Sequence, residues 1–180
     1  MISLTLARKY ARALLEIGLQ EGNYETLGKD LGKVTDLLKK NKELKNILIS
    51  AAYPAATRKA IGRAISRPLA LSKSTVDFID LLIERDRMDH FPEIGRSYER
   101  LCDGVAKRIR ATLVTAVALS LELVNDIKTQ LESTTGKEVI LSVEEDPSLI
   151  GGVQTLIGNV IYDGSLKTQL SIVKENLYKE

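Results

Sequence analysis

The stretch DPSLIGGVQTLIGNVIYDGSLKTQL, residues 146–170, decides what kind of domain the C-terminal part of the chain forms. Its glycines suit either a phosphate-binding loop or the turns of a β-hairpin. A P-loop needs Gly-x4-Gly-Lys-Ser/Thr, but here Gly158 is followed by Asn159, and the dinucleotide pattern Gly-x-Gly-x-x-Gly is absent. A Gly-Asn pair between VQTLI and VIY instead favours a two-residue hairpin. The stretch is therefore interpreted as scaffold and not as a nucleotide site.

The rest of the C-terminal third supports a small α/β domain. Gly151-Gly152 is expected to turn the backbone into the hairpin, and Asp163 to cap a last helix. Upstream, residues 111–120 and 137–146 are β-branched and alternating, which predicts two strands. Between them, helical spacing runs from a Ser120 cap to Gly136. The resulting sheet is expected to be covered by helices on one face, with these side chains of the second strand pointing inward: Val139, Leu141 and Val143.

The first two-thirds of the chain has the apolar period of helices. Residues 4–19 repeat apolar positions at three and four, Pro54 suits a helical first turn, and Ser72 is a candidate N-cap. Six short helices in about 105 residues predict an N-terminal six-helix bundle. The fold class is thus α plus α/β, with a helical domain at 1–105 and an α/β domain at 106–180.

Helices one and five of this bundle are apolar over more of their circumference than one core contact needs. Two interpretations follow. Both helices are central and buried on all sides, or together they line a groove for an amphipathic helix of a partner.

Charge is distributed unevenly along the 180 residues. Residues 1–110 hold 21 Lys/Arg against 14 Asp/Glu, a charge of +7, whereas residues 111–180 hold 5 against 10, a charge of −5. This asymmetry favours two domains that meet different partners. No apolar run approaches the roughly 20 residues of a membrane span, and the N-terminus lacks the pattern of a secretory signal. The sequence therefore predicts no direct membrane insertion.

Reactive groups are too few to indicate catalysis. The single histidine, His90, falls in a charged connection, and the single cysteine, Cys102, lies beside an apolar helix face. Three acids at 144–146 are expected in a solvated turn and not at a cation site, so no metal is predicted. No cofactor is predicted either. The acidic row Asp77, Asp80 and Glu84 either pairs with Arg87 or faces water.

Two other functions remain open. The basic residues KRIR at 107–110, with Arg96 and Arg100, are expected to form the solvent-exposed side of helix six and an interdomain linker. If the protein were instead a nucleic-acid-binding regulator, these residues would bind the nucleic acid. The predicted strands lack exposed Phe and Tyr for base stacking, so no nucleic acid is expected. An unrecognised enzyme would need a polar cleft that the sequence does not indicate.

Three stretches resemble one known family. They are ARKYARALLEI at 7–17, DFIDLLIERDRMDHFPEI at 77–94 and the opening stretch at 146–170. Together they resemble the delta subunit of the bacterial F-type ATP synthase, whose mitochondrial counterpart is the oligomycin-sensitivity-conferring protein. The resemblance reaches from the start of the chain to its end.

This resemblance implies a non-catalytic subunit of the peripheral stalk, or stator, on the cytoplasmic face of the bacterial inner membrane. Such a subunit ties the catalytic head to the membrane-anchored b subunits and keeps the head from turning with the rotor. The N-terminal helix of an alpha subunit is then expected between helices one and five, and the C-terminal ends of the b subunits on the second domain. The implied groove residues are Tyr10, Ala11, Leu14, Phe78, Ile79 and Leu82. The implied signature of the second domain is Asp146, Pro147, Leu149, Ile150, Gly151, Gly152, Asp163, Gly164 and Ser165.

Overall fold

The computed structural model describes residues 2–158 and 160–177 and divides the chain into two compact units, one up to Asp103 and one from Gly104 onward. Six α-helices make up most of the first unit, and the last of them runs just past the division. A short 3₁₀ helix, Met88–His90, precedes the sixth. The helices are α1 (Ile2–Gln20), α2 (Tyr24–Lys40), α3 (Lys42–Ile49), α4 (Ala55–Ser66), α5 (Lys73–Glu84) and α6 (Phe91–Val105).

Local signals in the sequence set where these helices begin. The Ser72 side chain accepts a hydrogen bond from the backbone N–H of Thr75, which confirms Ser72 as the cap of α5. Asn41 caps α3 in the same way, because its side chain accepts from the Leu44 N–H at 3.1 Å. Pro54 directly precedes α4, where its missing N–H costs no helical hydrogen bond.

One apolar core holds the first unit together. Tyr98 is fully buried in it, and its hydroxyl donates to the backbone oxygen of Tyr24 at 2.8 Å, so the buried polar group is satisfied. The Tyr98 ring lies where a side chain on Gly28 would touch it, at 3.4 Å. The buried apolar residues of this core are Ala7, Ala11, Leu14, Leu15, Leu27, Leu31, Val34, Leu38, Leu48, Phe78, Ile79, Leu82, Ile83, Met88, Phe91, Ile94 and Tyr98.

Asp30 is a buried charge that ties α2 to the start of α5. Its carboxylate accepts from the Ser72 N–H at 2.8 Å, the Thr75 hydroxyl at 3.2 Å and the Lys33 ammonium at 3.2 Å. Burial by itself raises the pKa of this carboxyl, but the hydrogen bonds from Ser72 and Lys33 outweigh it, so the pKa lies below its usual value. Asp30 is therefore ionised and fully engaged.

The second unit is a four-stranded mixed sheet with two helices. Strands are ordered β2-β1-β3-β4; β1 pairs with β2 in parallel, and β3 pairs antiparallel with both β1 and β4. A 3₁₀ helix, Pro147–Leu149, follows β2. The elements are β1 (Arg108–Thr115), α7 (Leu121–Thr135), β2 (Glu138–Glu145), β3 (Val153–Ile157), β4 (Val160–Asp163) and α8 (Leu166–Leu177). This confirms the coarse α plus β prediction.

Helix α7 covers one face of the sheet incompletely. It begins at the predicted Ser120 cap and ends at Gly136, whose φ of 65° is left-handed. On β2, Val139 is buried, but Leu141 is only half-buried and Val143 is exposed. The prediction that all three point into a core is therefore wrong at Val143. A cavity of about 390 Å³ remains between α7 and the sheet, lined in part by Leu113 and Ile127.

The start of β1 corrects the prediction for residues 107–110. This segment was expected to be a linker, but the strand already begins at Arg108, whose guanidinium donates to Glu138 on β2 at 2.8 Å. The strand also ends early, at Thr115, whose hydroxyl donates to the Val117 carbonyl at 2.8 Å. Charged residues on the outer face of a strand look like a linker when only composition is considered.

Candidate functional site

Helices α1 and α5 lie side by side and antiparallel. The rings of Tyr10 and Phe78 meet edge to face, with centroids 6.3 Å apart and planes at 69°. Nearer the end of α1, the Ser74 hydroxyl donates to Glu21 at 2.7 Å, which lowers the pKa of the Glu21 carboxyl. Tyr10 is half-buried, so its ring marks the edge of the surface between the two helices.

Most of the six expected groove residues lie inside the unit. Ala11, Leu14, Ile79 and Leu82 are at most 1% exposed, and Phe78 is also buried. They pack the helices together and are closed to a partner that rests on the surface. Only Tyr10 among the six is open to solvent.

A second row of apolar side chains on α1 is accessible. Leu6, Tyr10, Ala13 and Ile17 follow one another at four, three and four residues, so they share one side of the helix. Ile17 is 43% exposed, and Leu81 on α5 is 41% exposed and lies on the same side of that helix as Ser74 and Phe78. We call these five residues, four on α1 and Leu81 on α5, the outer stripe. In the sequence, the outer stripe could have been found from the apolar positions of α1 that lie beside the row of residues at its buried face.

The opposite side of α5 is occupied by α4. Asp80 accepts from Arg63 at 2.6 and 2.9 Å, and Glu84 accepts from Lys59 at 2.8 Å. Neither acid pairs with Arg87, so the alternative that this row pairs with Arg87 is wrong for Asp80 and Glu84. Because α1 and α5 carry exposed outer faces, the interpretation that both are buried on all sides is also wrong.

The turn after β2 begins the C-terminal signature. The Asp146 side chain accepts from the Ser148 N–H at 2.9 Å, which caps the 3₁₀ helix that Pro147 opens and lowers the Asp146 pKa. Leu149 is buried beneath this turn. Ile150 leaves the turn at a φ of 67° with an exposed side chain.

The glycines of the signature allow two backbone segments to touch. A Cβ on Gly152, at a φ of 77°, would collide with the carbonyl oxygen of Gly164, and a Cβ on Gly151 would lie 2.7 Å from the Leu166 side chain. Two hydrogen bonds fix the crossing: Gly164 N–H to Val153 O and Leu166 N–H to Gly151 O, each 3.0 Å. The pair thus serves packing, and no loop for a phosphate forms there.

Ser165, not Asp163, caps α8. The Ser165 hydroxyl accepts from the Thr168 N–H at 3.3 Å, the position of a helix cap. Asp163 supports it by accepting from the Ser165 N–H at 2.9 Å and the Thr168 hydroxyl at 2.8 Å. These bonds, chiefly that from the Ser165 N–H, lower the pKa of Asp163 to about 2. The prediction placed the cap two residues early.

Exposed apolar side chains are concentrated in the last two elements. On α8, no described side chain from Leu166 to Glu175 is buried, and the helix packs mainly against the 3₁₀ helix that precedes β3. We call three exposed residues of α8, which share one side of the helix at spacings of four and three, the C-terminal apolar surface: Leu166, Leu170 and Val173.

The described residues bring no reactive groups together. None of them forms a cluster of three potential metal ligands. Burial raises the pKa of the half-buried Cys102 thiol, which keeps it a poor nucleophile. His90 is half-buried beside Asp89 at 3.4 Å. Within residues 2–158 and 160–177, no helix has the length and apolarity to cross a membrane.

The fold and its surfaces define a class: a two-unit protein with exposed apolar side chains on both units and no catalytic set among its described residues. Comparison with known proteins identifies the family. The profile of the ATP synthase delta (OSCP) subunit matches residues 6–177, and the chain belongs to that family. It is accordingly a non-catalytic subunit.

Relatives called ATP synthase subunit delta align with nearly the whole chain. It is 38% identical to "ATP synthase subunit delta" of Geotalea uraniireducens (strain Rf4) over 179 residues, 99% of each chain. It is 37% identical to the protein of the same name from Geobacter metallireducens, again over 99% of each. A chain of the Toxoplasma gondii mitochondrial ATP synthase hexamer, solved by cryo-EM, has the same fold, with a TM-score of 0.70 at 20% identity over 96% of this chain and 97% of that one.

Proposed function

We propose that this protein is the stator subunit that joins the catalytic head of an F-type ATP synthase to its membrane-anchored b subunits and resists the torque of the rotor. It acts at the cytoplasmic face of the bacterial inner membrane, without a cofactor, a metal, nucleic acid or membrane insertion of its own. Membership of the delta (OSCP) family supports the assignment to an ATP synthase complex. The location of two apolar surfaces on two separate units supports the role of joining two partners.

The first unit, a bundle of six helices, receives the N-terminal helix of an alpha subunit. The outer stripe is the observation that carries this assignment, because its apolar side chains stand outside the buried core on two helices that meet at Tyr10 and Phe78. An amphipathic helix binds such a row through residues spaced at three and four. Residues 1–105 thus form the head-binding domain, with Ala11, Leu14, Phe78, Ile79 and Leu82 supporting the groove from beneath.

The second unit, residues 106–180, contacts the C-terminal ends of the b subunits through the C-terminal apolar surface. Helix α8 supports this role because Leu166, Leu170 and Val173 stay exposed although the helix packs against the 3₁₀ helix that precedes β3. Two linked contacts raise the overall avidity by roughly 10²–10⁴ over one contact. A stator subunit that is subject to a fluctuating torque needs this higher avidity.

The test is a titration of a peptide from the N-terminus of the alpha subunit into the purified protein. Ile17→Asp and Leu81→Asp are expected to weaken binding by about tenfold or more, since each places a charge in an apolar contact. Leu19→Asp is the matched control, because Leu19 is 46% exposed on α1 outside the outer stripe. Unchanged affinity in both stripe variants would remove the assignment, as would an equal loss in the control.

A further inference from the structure

The side of α1 away from the outer stripe carries a second, basic feature. Arg8 and Arg12 lie one turn apart, and with Ser97, Arg100 and Leu101 of α6 they line a cavity of about 440 Å³. Three guanidinium groups therefore border one concave space within the first unit. The proposed binding of the alpha-subunit helix does not use it.

These three arginines have no carboxylate partner within ion-pair distance among the described residues. By contrast, Arg58 and Arg63 of the same unit are paired with Asp86 and Asp80 at 2.7 and 2.6 Å. Like charges that share a cavity repel one another. A bound anion would relieve that repulsion and would meet donors on two helices.

We propose that this cavity binds a small phosphate-bearing anion. Guanidinium groups recognise phosphate oxygens through paired N–H donors, and the Ser97 hydroxyl adds a further donor. The volume of this cavity falls in the range of small-molecule sites, about 300–1,000 Å³. The cavity is therefore larger than one phosphate group needs. A di- or triphosphate group next to the apolar side chain of Leu101 fits this combination better than an extended acidic peptide, which would need an open surface.

The test is calorimetric titration of pyrophosphate into the full chain at fixed ionic strength. We expect saturable binding at one site, weakened about tenfold or more by Arg12→Gln and by Arg100→Gln, since each removes a charge-assisted hydrogen bond. Lys9→Gln and Arg96→Gln are the matched controls, one on each helix: Lys9 lies outside the cavity, and Arg96 is engaged by Glu93 at 2.8 Å. Both controls should bind like the unaltered protein.

Three results would overturn the proposal. Pyrophosphate binds without saturation, the control variants lose affinity as much as the cavity variants, or an Asp/Glu-rich peptide of equal charge binds more tightly than pyrophosphate. The last result would assign the cavity to a protein partner. Thermal melts without ligand verify folding, and the arginine variants should melt no lower than the unaltered protein, because each loses a repulsive charge and no ion pair with a described residue.

Discussion

Adjacent leucines on α5 play opposite roles. Leu82 is fully buried in the core, whereas the neighbouring Leu81 is 41% exposed on the outer stripe. Leu82→Ala should lower the free energy of unfolding by roughly 2–5 kcal/mol, because it leaves a cavity, while Leu81→Ala should change it by no more than about 0.5 kcal/mol. Urea unfolding of the two variants measures the difference. Equal destabilisation would mean that α5 is rotated relative to the described packing.

Asp30 gives the first unit a predictable response to acid. Because its folded-state pKa lies below the usual 3.8, the ionised carboxylate contributes stability that is fully present above about pH 4. That contribution is lost as the pH falls through the lower folded-state pKa. Asp30→Asn should therefore cost roughly 1–3 kcal/mol at pH 7 and progressively less below pH 4, measured by urea unfolding at several pH values.

Asp36→Asn is the control for this experiment. Asp36 lies on the same helix, but its ion pair with Lys39 at 3.4 Å is exposed on both sides. Exposed pairs contribute little to stability, so this variant should follow the unaltered protein at every pH. An Asp30→Asn variant with the same pH profile as the unaltered protein would show that the buried hydrogen bonds do not depend on charge.

Among the elements, the crossing between the Gly152 turn and the start of α8 is the most constrained. Gly152→Ala should cost clearly more than Gly136→Ala. Both glycines have a left-handed φ, a penalty of roughly 1–2 kcal/mol for a side chain, but only Gly152 faces a backbone oxygen, whereas Gly136 has open space. Amide hydrogen exchange at β3 and α8 reports the local loss. Similar exchange in the two variants would contradict the close crossing.

Element boundaries were predictable where a local signal sets them. Ser72, Ser120 and Gly136 work through hydrogen bonds or φ angles within a few residues, and sequence contains that information directly. The cap of α8 was misplaced because Asp163 and Ser165 both suit it, and only the helix register decides between them. The groove was harder. Helical spacing groups the apolar residues of α1, but the neighbouring helices determine which row is buried, so spacing alone does not separate the buried Leu14 from the exposed Ile17.

At the scale of the whole molecule, the two apolar surfaces belong to different units and should fail separately. Leu170→Asp should abolish capture of fragments from the C-terminal ends of the b subunits, while the affinity for an alpha-subunit peptide stays unchanged. Leu81→Asp should have the reverse effect. Paired binding assays on the full chain measure both affinities. If either variant lost both partners, the proposal that each unit binds its own partner would be wrong.

Helix α8 also has a consequence for how copies of the chain survive in a cell. If α8 docks on a b subunit as proposed, a newly made copy without that partner displays several apolar side chains on a lightly anchored helix, the kind of feature that proteases cut first. Docking would conceal that segment. Surplus copies would then be cleared while assembled ones persist, so the helix would match supply to the number of complexes. Limited proteolysis that cuts α8 equally fast with and without b-subunit fragments would rule this out.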